Sequence, residues 1–155
     1  MSKTISILGT GWLGLPLGKF LLSKGYTVKG STTSENKIQQ FSDLGIQPYL
    51  IDISDSSIEE QSKDFFDTEI LIITIPPKRN IEKYTMQMKA ISKTIKNSRV
   101  EHIIYTSSTG VYGDAIGLTN EKTTLNPTKE SSKAVTKAEK ILSDSNKNLT
   151  ICRLA

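Results

Sequence analysis

The 155-residue sequence holds one cysteine, one histidine and one tryptophan. A single thiol, Cys152, excludes an internal disulfide framework, and one histidine beside it leaves no metal-ligand set, so no metal is expected. Cys152 sits in the apolar run Leu149-Thr150-Ile151-Cys152 and reads as a buried strand thiol. His102 adjoins Ile103-Ile104-Tyr105 and reads as structural. No apolar stretch approaches membrane-spanning length, and Met1 to Thr4 leads straight into an apolar run without a signal-peptide pattern. The expected location is cytoplasmic, with no membrane partner. Excess charge is also scarce, because 20 basic residues against 16 acidic leave only +4. The lysines are scattered with few aromatics among them, which reads as a solvated surface and not as a nucleic-acid face.

What remains is ordinary globular composition, 36% hydrophobic and 23% charged, in one expected domain over residues 1–155. Apolar runs of strand length alternate with segments of helical spacing. Strands are predicted near 3–8, 26–30, 46–53, 69–75, 100–106 and 149–154. Helices are predicted from Leu15, with Leu13, Leu17, Phe20 and Leu21 on one stripe, and over 35–44, 56–66 with Asp55 as cap, about 81–95, and 129–143. Gly25 and Gly45 read as helix stops. Ile70 to Ile75 is a continuous apolar run, as expected of a central strand buried on both faces. The stripe Ile81, Tyr84, Met88, Ile91 and Ile95 is core-facing, as are Ala134, Ala138, Ile141 and Leu142. This alternation predicts an α/β fold, a doubly wound parallel sheet of Rossmann type with right-handed crossovers.

The most informative stretch is Gly9-Thr10-Gly11-Trp12-Leu13-Gly14, set between the first strand and the first helix. A strand, glycine turn and helix in this order aim unpaired N–H groups and the positive end of a helix dipole at one point, which suits a pyrophosphate. Gly9 permits the tight turn, Gly11 lets backbone approach phosphate, and Gly14 lets the helix pack closely on the strand. A dinucleotide is therefore the expected cofactor. The end of the second strand, where a carboxylate usually holds a ribose 2′-OH, carries Ser31-Thr32-Thr33 with Lys37 following, and no acid before Glu35. That pattern leans to NADP over NAD, although a cluster of hydroxyls capping the next helix fits either. Asp52-Ile53 ends the third strand, where a carboxylate can accept from an adenine amine or simply begin a turn. Ile75-Pro76 ends the fourth, beneath the expected ribose, and Lys78-Arg79 reads as surface charge.

At Tyr105-Thr106-Ser107-Ser108-Thr109-Gly110-Val111-Tyr112-Gly113-Asp114 the sequence resembles the extended short-chain dehydrogenase/reductases, which include nucleotide-sugar epimerases and dehydratases. The glycine turn, Asp52-Ile53 and the terminal Cys152-Arg153-Leu154-Ala155 extend the likeness over the whole chain. The Gly-Trp-Leu-Gly turn is similar in particular to the atypical, YeeZ-like branch of that family. With the glycine turn and strand ends read above, the expected cofactor contacts are Gly9, Thr10, Gly11, Trp12, Leu13, Gly14, Ser31, Thr32, Thr33, Lys37, Asp52, Ile53, Ile75, Pro76 and Ser107. The resemblance implies that Ser108 hydrogen-bonds a reacting hydroxyl or carbonyl of a nucleotide-sugar-like substrate. The family's tyrosine and lysine pair is missing. Counted back from Ala138-Glu139, those places fall on Ser131 and Val135. Two functions follow: an NAD(P)-dependent oxidoreductase or epimerase in full-length form, or a catalytically silent dinucleotide-binding sensor or scaffold. The family continues past the sixth strand into a substrate lobe, so the chain resembles its cofactor half. Extended members often dimerise through the helices flanking the central strands. A homodimer and simple burial against the sheet both fit the apolar stripes seen here.

Overall fold

The computed structural model describes residues 3–53, 58, 62–77 and 80–155. Six strands alternate with helices: β1 (Thr4–Leu8), α1 (Gly14–Ser23), β2 (Thr27–Thr32), α2 (Ile38–Asp43), β3 (Gln47–Leu50), β4 (Ile70–Ile73), α3 (Ile81–Lys96), β5 (His102–Ser108), α4 (Glu130–Ser143) and β6 (Asn148–Leu154). Short 3-10 turns lie at Glu35–Lys37, Asp64–Phe66 and Thr109–Tyr112. Every strand pair is parallel, in the order β3-β2-β1-β4-β5-β6. This is the Rossmann arrangement, and β1 is its switch point, with chain leaving in opposite directions on either side.

Residues successive along a strand point to opposite faces, and this splits the core in two. Ile5, Ile7, Val28 and Ile72 face one layer with Phe41, Ile46 and the leucines of α1. Leu8, Leu71, Ile73, Ile103 and Tyr105 face the other, against Tyr84, Met88 and Ile91 of α3 and Ala134, Ala138 and Leu142 of α4. The apolar stripe of α3 is therefore occupied by the sheet.

Several boundaries depart from expectation for one reason: a strand continues only while it has a partner. β3 ends at Leu50, opposite Thr32 where β2 ends, so Asp52 and Ile53 lie beyond it. β4 ends at Ile73 because its neighbour β1 turns away at Gly9. β2 and β5 run two residues further than predicted, β5 because β6 pairs along it as far as Ser108 opposite Leu154. Ser31, Thr32, Ser107 and Ser108 thus stand within strands. In α1 it is Gly14 and Gly18 that are buried, whereas Phe20 is 56% exposed. The helix touches the sheet through its glycines, and Phe20, about 200° round from Gly18, faces outward beside Lys24. Cys152 is half-buried, because β6 is an edge strand. Of the helix expected over 56–66, residues 56–57 and 59–61 lie outside the described residues, as do Asp55 and Lys78-Arg79; only the turn Asp64–Phe66 is seen. Among the described residues no helix is long and apolar enough to cross a membrane.

Candidate functional site at the carboxyl edge of the sheet

The glycine turn is built as its composition predicts. Gly9 takes φ of +98°, and a Cβ there would lie 2.6 Å from Ile75 Cγ2. At Gly14 a Cβ would stand 2.7 Å from the carbonyl oxygen of Gly9. At Gly11 the nearest heavy atom would be 4.0 Å away, so the space above it is open. The turn is clamped from both sides. From β2, Ser31 Oγ accepts the Gly9 N–H at 2.8 Å and the Ser31 carbonyl accepts the Thr10 N–H at 2.9 Å. From the end of β4, Thr74 Oγ1 donates to the Gly9 carbonyl at 2.7 Å. Buried Thr10 adds a bond from Oγ1 to the Ile7 carbonyl and packs where a Cβ on Gly30 would come within 2.9 Å.

Above this scaffold the start of α1 is uncapped. Leu13 at the N-cap provides no side-chain acceptor, and the first turn holds no acidic residue. The Leu15 N–H reaches the Gly11 carbonyl, and Pro16 has no N–H to satisfy. Among the described residues the N–H groups of Trp12, Leu13 and Gly14 meet no acceptor. Three such donors at a helix start, reinforced by the helix dipole, are an arrangement suited to an anion. Trp12 extends beside them, 94% exposed.

The other candidate residues divide into those turned inward and those left open. Ser31 and Thr32 are buried, the former spent on Gly9 and the latter accepting the Ser34 N–H through Oγ1. Thr33, Lys37 and Asp52 are exposed on the same β2–β3 side of the turn. Ile53 is buried, and its carbonyl accepts from Gln87. Ile75 flanks Gly9, its carbonyl accepting from Tyr84, and Pro76 is exposed. Two strand positions away from β1, about 10 Å by the usual spacing, β5 ends at Ser107 and Ser108. Ser108 is half-buried and its Oγ accepts the Gly110 N–H, which leaves its proton for another partner. Sheet order thus sets Thr33, Lys37 and Asp52 on one flank of the glycine turn and Ser108 on the other.

The profile described as NAD(P)H-binding matches residues 9–155. The chain belongs to that family. Protein YeeZ of Escherichia coli strain K12 is 32% identical over 142 residues, which are 88% of this chain and 52% of YeeZ. The chain therefore spans about half the length of that curated relative. Among solved structures, the UDP-Glc/GlcNAc 4-epimerase of Campylobacter jejuni superposes with a TM-score of 0.83 at 16% identity, over 99% of this chain and 53% of the epimerase. The Bordetella bronchiseptica enzyme WbmH, solved with NAD+, gives 0.80 at 16% identity, over 100% and 57%. At such identities the likeness to the epimerase and to WbmH is one of fold.

In this NAD(P)H-binding chain, the places that fall to tyrosine and lysine in extended dehydrogenase/reductases are unsuited to proton transfer. Ser131 is exposed on α4, and Val135 is 4% exposed in the core. Sequence reading missed a polar network close by. Glu139, 5% exposed on the inner face of α4, accepts Ser107 Oγ at 2.5 Å and Arg153 Nε and Nη2 at 3.0 and 2.8 Å. Arg153 Nη1 donates to the Tyr112 hydroxyl at 2.8 Å, and the guanidinium lies over that ring. The bonds to the Glu139 carboxylate, foremost, hold Arg153 well above its ordinary pKa. A signal was present in the sequence: Glu139 interrupts the apolar spacing 135, 138, 142, where a charge needs a buried partner.

Proposed function

We propose that this chain holds NADP(H), and that it serves a full-length oxidoreductase or epimerase acting on a nucleotide-sugar-like carbonyl or alcohol. The observation that carries the reading is the row of unaccepted N–H groups at Trp12, Leu13 and Gly14 beneath open space at Gly11. In this reading the pyrophosphate lies on those donors, Ile75 and Pro76 pass under a ribose, and Asp52 and Ile53 border the adenine. Thr33 and Lys37, both exposed beyond the end of β2, receive a 2′-phosphate. Ser31, Thr32 and Ser107 act behind the surface by fixing the turn, the β2 end and β5. Ser108 offers its hydroxyl proton to the reacting oxygen. Calorimetric titration tests the cofactor: NADPH is expected to bind about tenfold tighter than NADH, and equal affinities would remove the NADP assignment. Turnover of a carbonyl panel by full-length protein with NADPH, lost in Ser108→Ala, tests the chemistry.

A second reading, a catalytically silent sensor or scaffold that binds the dinucleotide, is favoured by exposed Ser131 and buried Val135. It predicts unimpaired NADPH binding with no turnover of any substrate in the panel.

A further inference from the structure

The stretch Ile51-Asp52-Ile53 leaves the sheet where β2 stops. Its last ladder bond runs from the Ile51 N–H to the Thr32 carbonyl at 2.9 Å, and β2 supplies no partner beyond it. The Ile53 carbonyl is met from another layer instead. Gln87 of α3 reaches back 34 residues, and its Nε2 donates to that oxygen at 2.7 Å. Ile51 and Ile53 are 6% and 5% exposed, both packed in the α3–α4 layer, whereas Asp52 between them is exposed. With one peptide group pinned on each side and both neighbouring side chains buried, the backbone torsions of Asp52 are fixed. The direction of its carboxylate is fixed with them.

Gln87 is an unusual residue for its place. It stands three residues after Tyr84 and four before Ile91, so it borders the apolar stripe of α3 and is half-buried there. A polar amide at such a position carries a desolvation cost that an apolar side chain of equal length avoids. Its donor goes to the one carbonyl that follows Asp52. One turn earlier, the Tyr84 hydroxyl donates to the Ile75 carbonyl at 3.1 Å. The helix itself is anchored, since Asn80 Oδ1 accepts the Lys83 N–H at 2.9 Å. Two residues of one capped helix thus hold, from behind, the two backbone segments assigned above to adenine and ribose.

We propose that Gln87 is a positioning residue for the adenine side of the dinucleotide: by holding the Ile53 carbonyl it aims the Asp52 carboxylate at the exocyclic amine. This role rests on the dinucleotide reading above. Two ligands separate aim from stability in calorimetry on the full-length protein. One is whichever of NADPH and NADH the wild type binds more tightly; the other is its hypoxanthine analogue, which carries an oxygen in place of the amine. The wild type is expected to prefer the adenine form about tenfold, the worth of a hydrogen bond to a charged group. Gln87→Met keeps the side-chain length without the donor and is expected to cut that preference to about twofold. Asp52→Ala abolishes it, and adding Gln87→Met to Asp52→Ala lowers adenine-form affinity no further, because the two act as one unit. Ser92→Ala removes a different α3 bond, to the Ile141 carbonyl, and leaves the preference at its wild-type value. Should Gln87→Met not fold, Gln87→Glu, of the same shape but without the amide donor, is expected to show the same fall. A preference retained in either folded Gln87 variant, an equal fall in Ser92→Ala, or a wild type indifferent to the base would each overturn the role while leaving dinucleotide binding in place. A wild type that binds neither NADPH nor NADH would instead remove the cofactor reading and this role together.

Discussion

Glu139 shows how much one side chain can organise. A carboxylate withdrawn from water on the inner face of α4 is tolerated because Ser107 and Arg153 supply three donors to it. Those donors come from β5 and β6, so the same group ties a helix to two strands. Removing it leaves a guanidinium whose side chain is only 17% exposed without its countercharge. Glu139→Ala is therefore expected to lower unfolding free energy by about 3 kcal/mol, whereas most of that loss is recovered when Arg153 is also replaced by Met. Urea denaturation of the two variants measures this, and equal destabilisation in both would contradict it. Glu139 was legible as a charge on the apolar face of α4, but its partner was not, because nothing in local spacing points to an arginine on a strand 14 residues on. Ser31 was legible as a polar residue at the right strand end. Its partner was not, since Oγ turns back 22 residues to Gly9.

The glycine turn with its flanking strand and helix was the most readable element, because each of its requirements is local. A tight turn, an approach to phosphate and a helix seated on a strand each remove a Cβ. The structure separates these requirements by position, and substitution is expected to separate them too. Gly14→Ala forces a Cβ against the Gly9 carbonyl and is expected to cost about 2 kcal/mol of stability. Gly11→Ala meets no protein atom closer than 4.0 Å, so its melting temperature should stay near that of the wild type while NADPH affinity falls. Thermal denaturation and calorimetry on the pair check both halves, and a destabilised Gly11→Ala would refute the assignment of its open face to ligand. Strand ends were the least readable feature. Ile75 and Ile53 have every propensity for strand, yet β4 and β3 stop short of them because the neighbouring chain has turned away. Thr74, which closes the far side of the turn, gave no sequence signal at all, since its bond spans 65 residues.

Over the whole molecule, α/β order and parallel topology followed from alternating apolar patterns, and both core layers fill as the two periods predict. The pH dependence of stability belongs to this scale because its groups are spread across the fold. In the α3–α4 layer the Tyr84 and Tyr105 hydroxyls are 2.8 Å apart. Burial pushes Tyr84 up to about 12 and Tyr105 higher still. Unfolded tyrosine ionises near pH 10, so above that value the unfolded chain holds fewer protons than the folded one and stability falls as pH rises. Glu69 and Asp64 act at the other end. The Thr4 N–H lowers the first and the Tyr49 hydroxyl the second, so their contribution is present above about pH 4 and is lost as acid titrates the folded carboxylates. Urea midpoints across pH 3–11.5 are expected to form a plateau falling on both sides. In Tyr84→Phe the alkaline limb should become shallower; an unchanged limb would exclude the pair as its source.

The outer faces of the two helices over that layer carry Lys83, Lys89, Lys93 and Lys96 on α3 and Lys133, Lys137 and Lys140 on α4, all exposed. Exposed acids on them are Glu82 and Glu130, the latter paired with Lys133. Two copies meeting face to face there would oppose like charges, so a homodimer through these helices would tighten as salt is raised.

The double clamp on Gly9 bears finally on how a dinucleotide arrives. With Ser31 holding one side and Thr74 the other, the turn is fixed while Trp12, Leu13 and Gly14 keep N–H groups that meet no acceptor among the described residues. If a phosphate binds there as proposed, the clamped turn needs no refolding to receive it. Capture is then a simple collision, little conformational freedom is surrendered at this point, and residence time depends on how well the two flanks grip the remainder of the ligand.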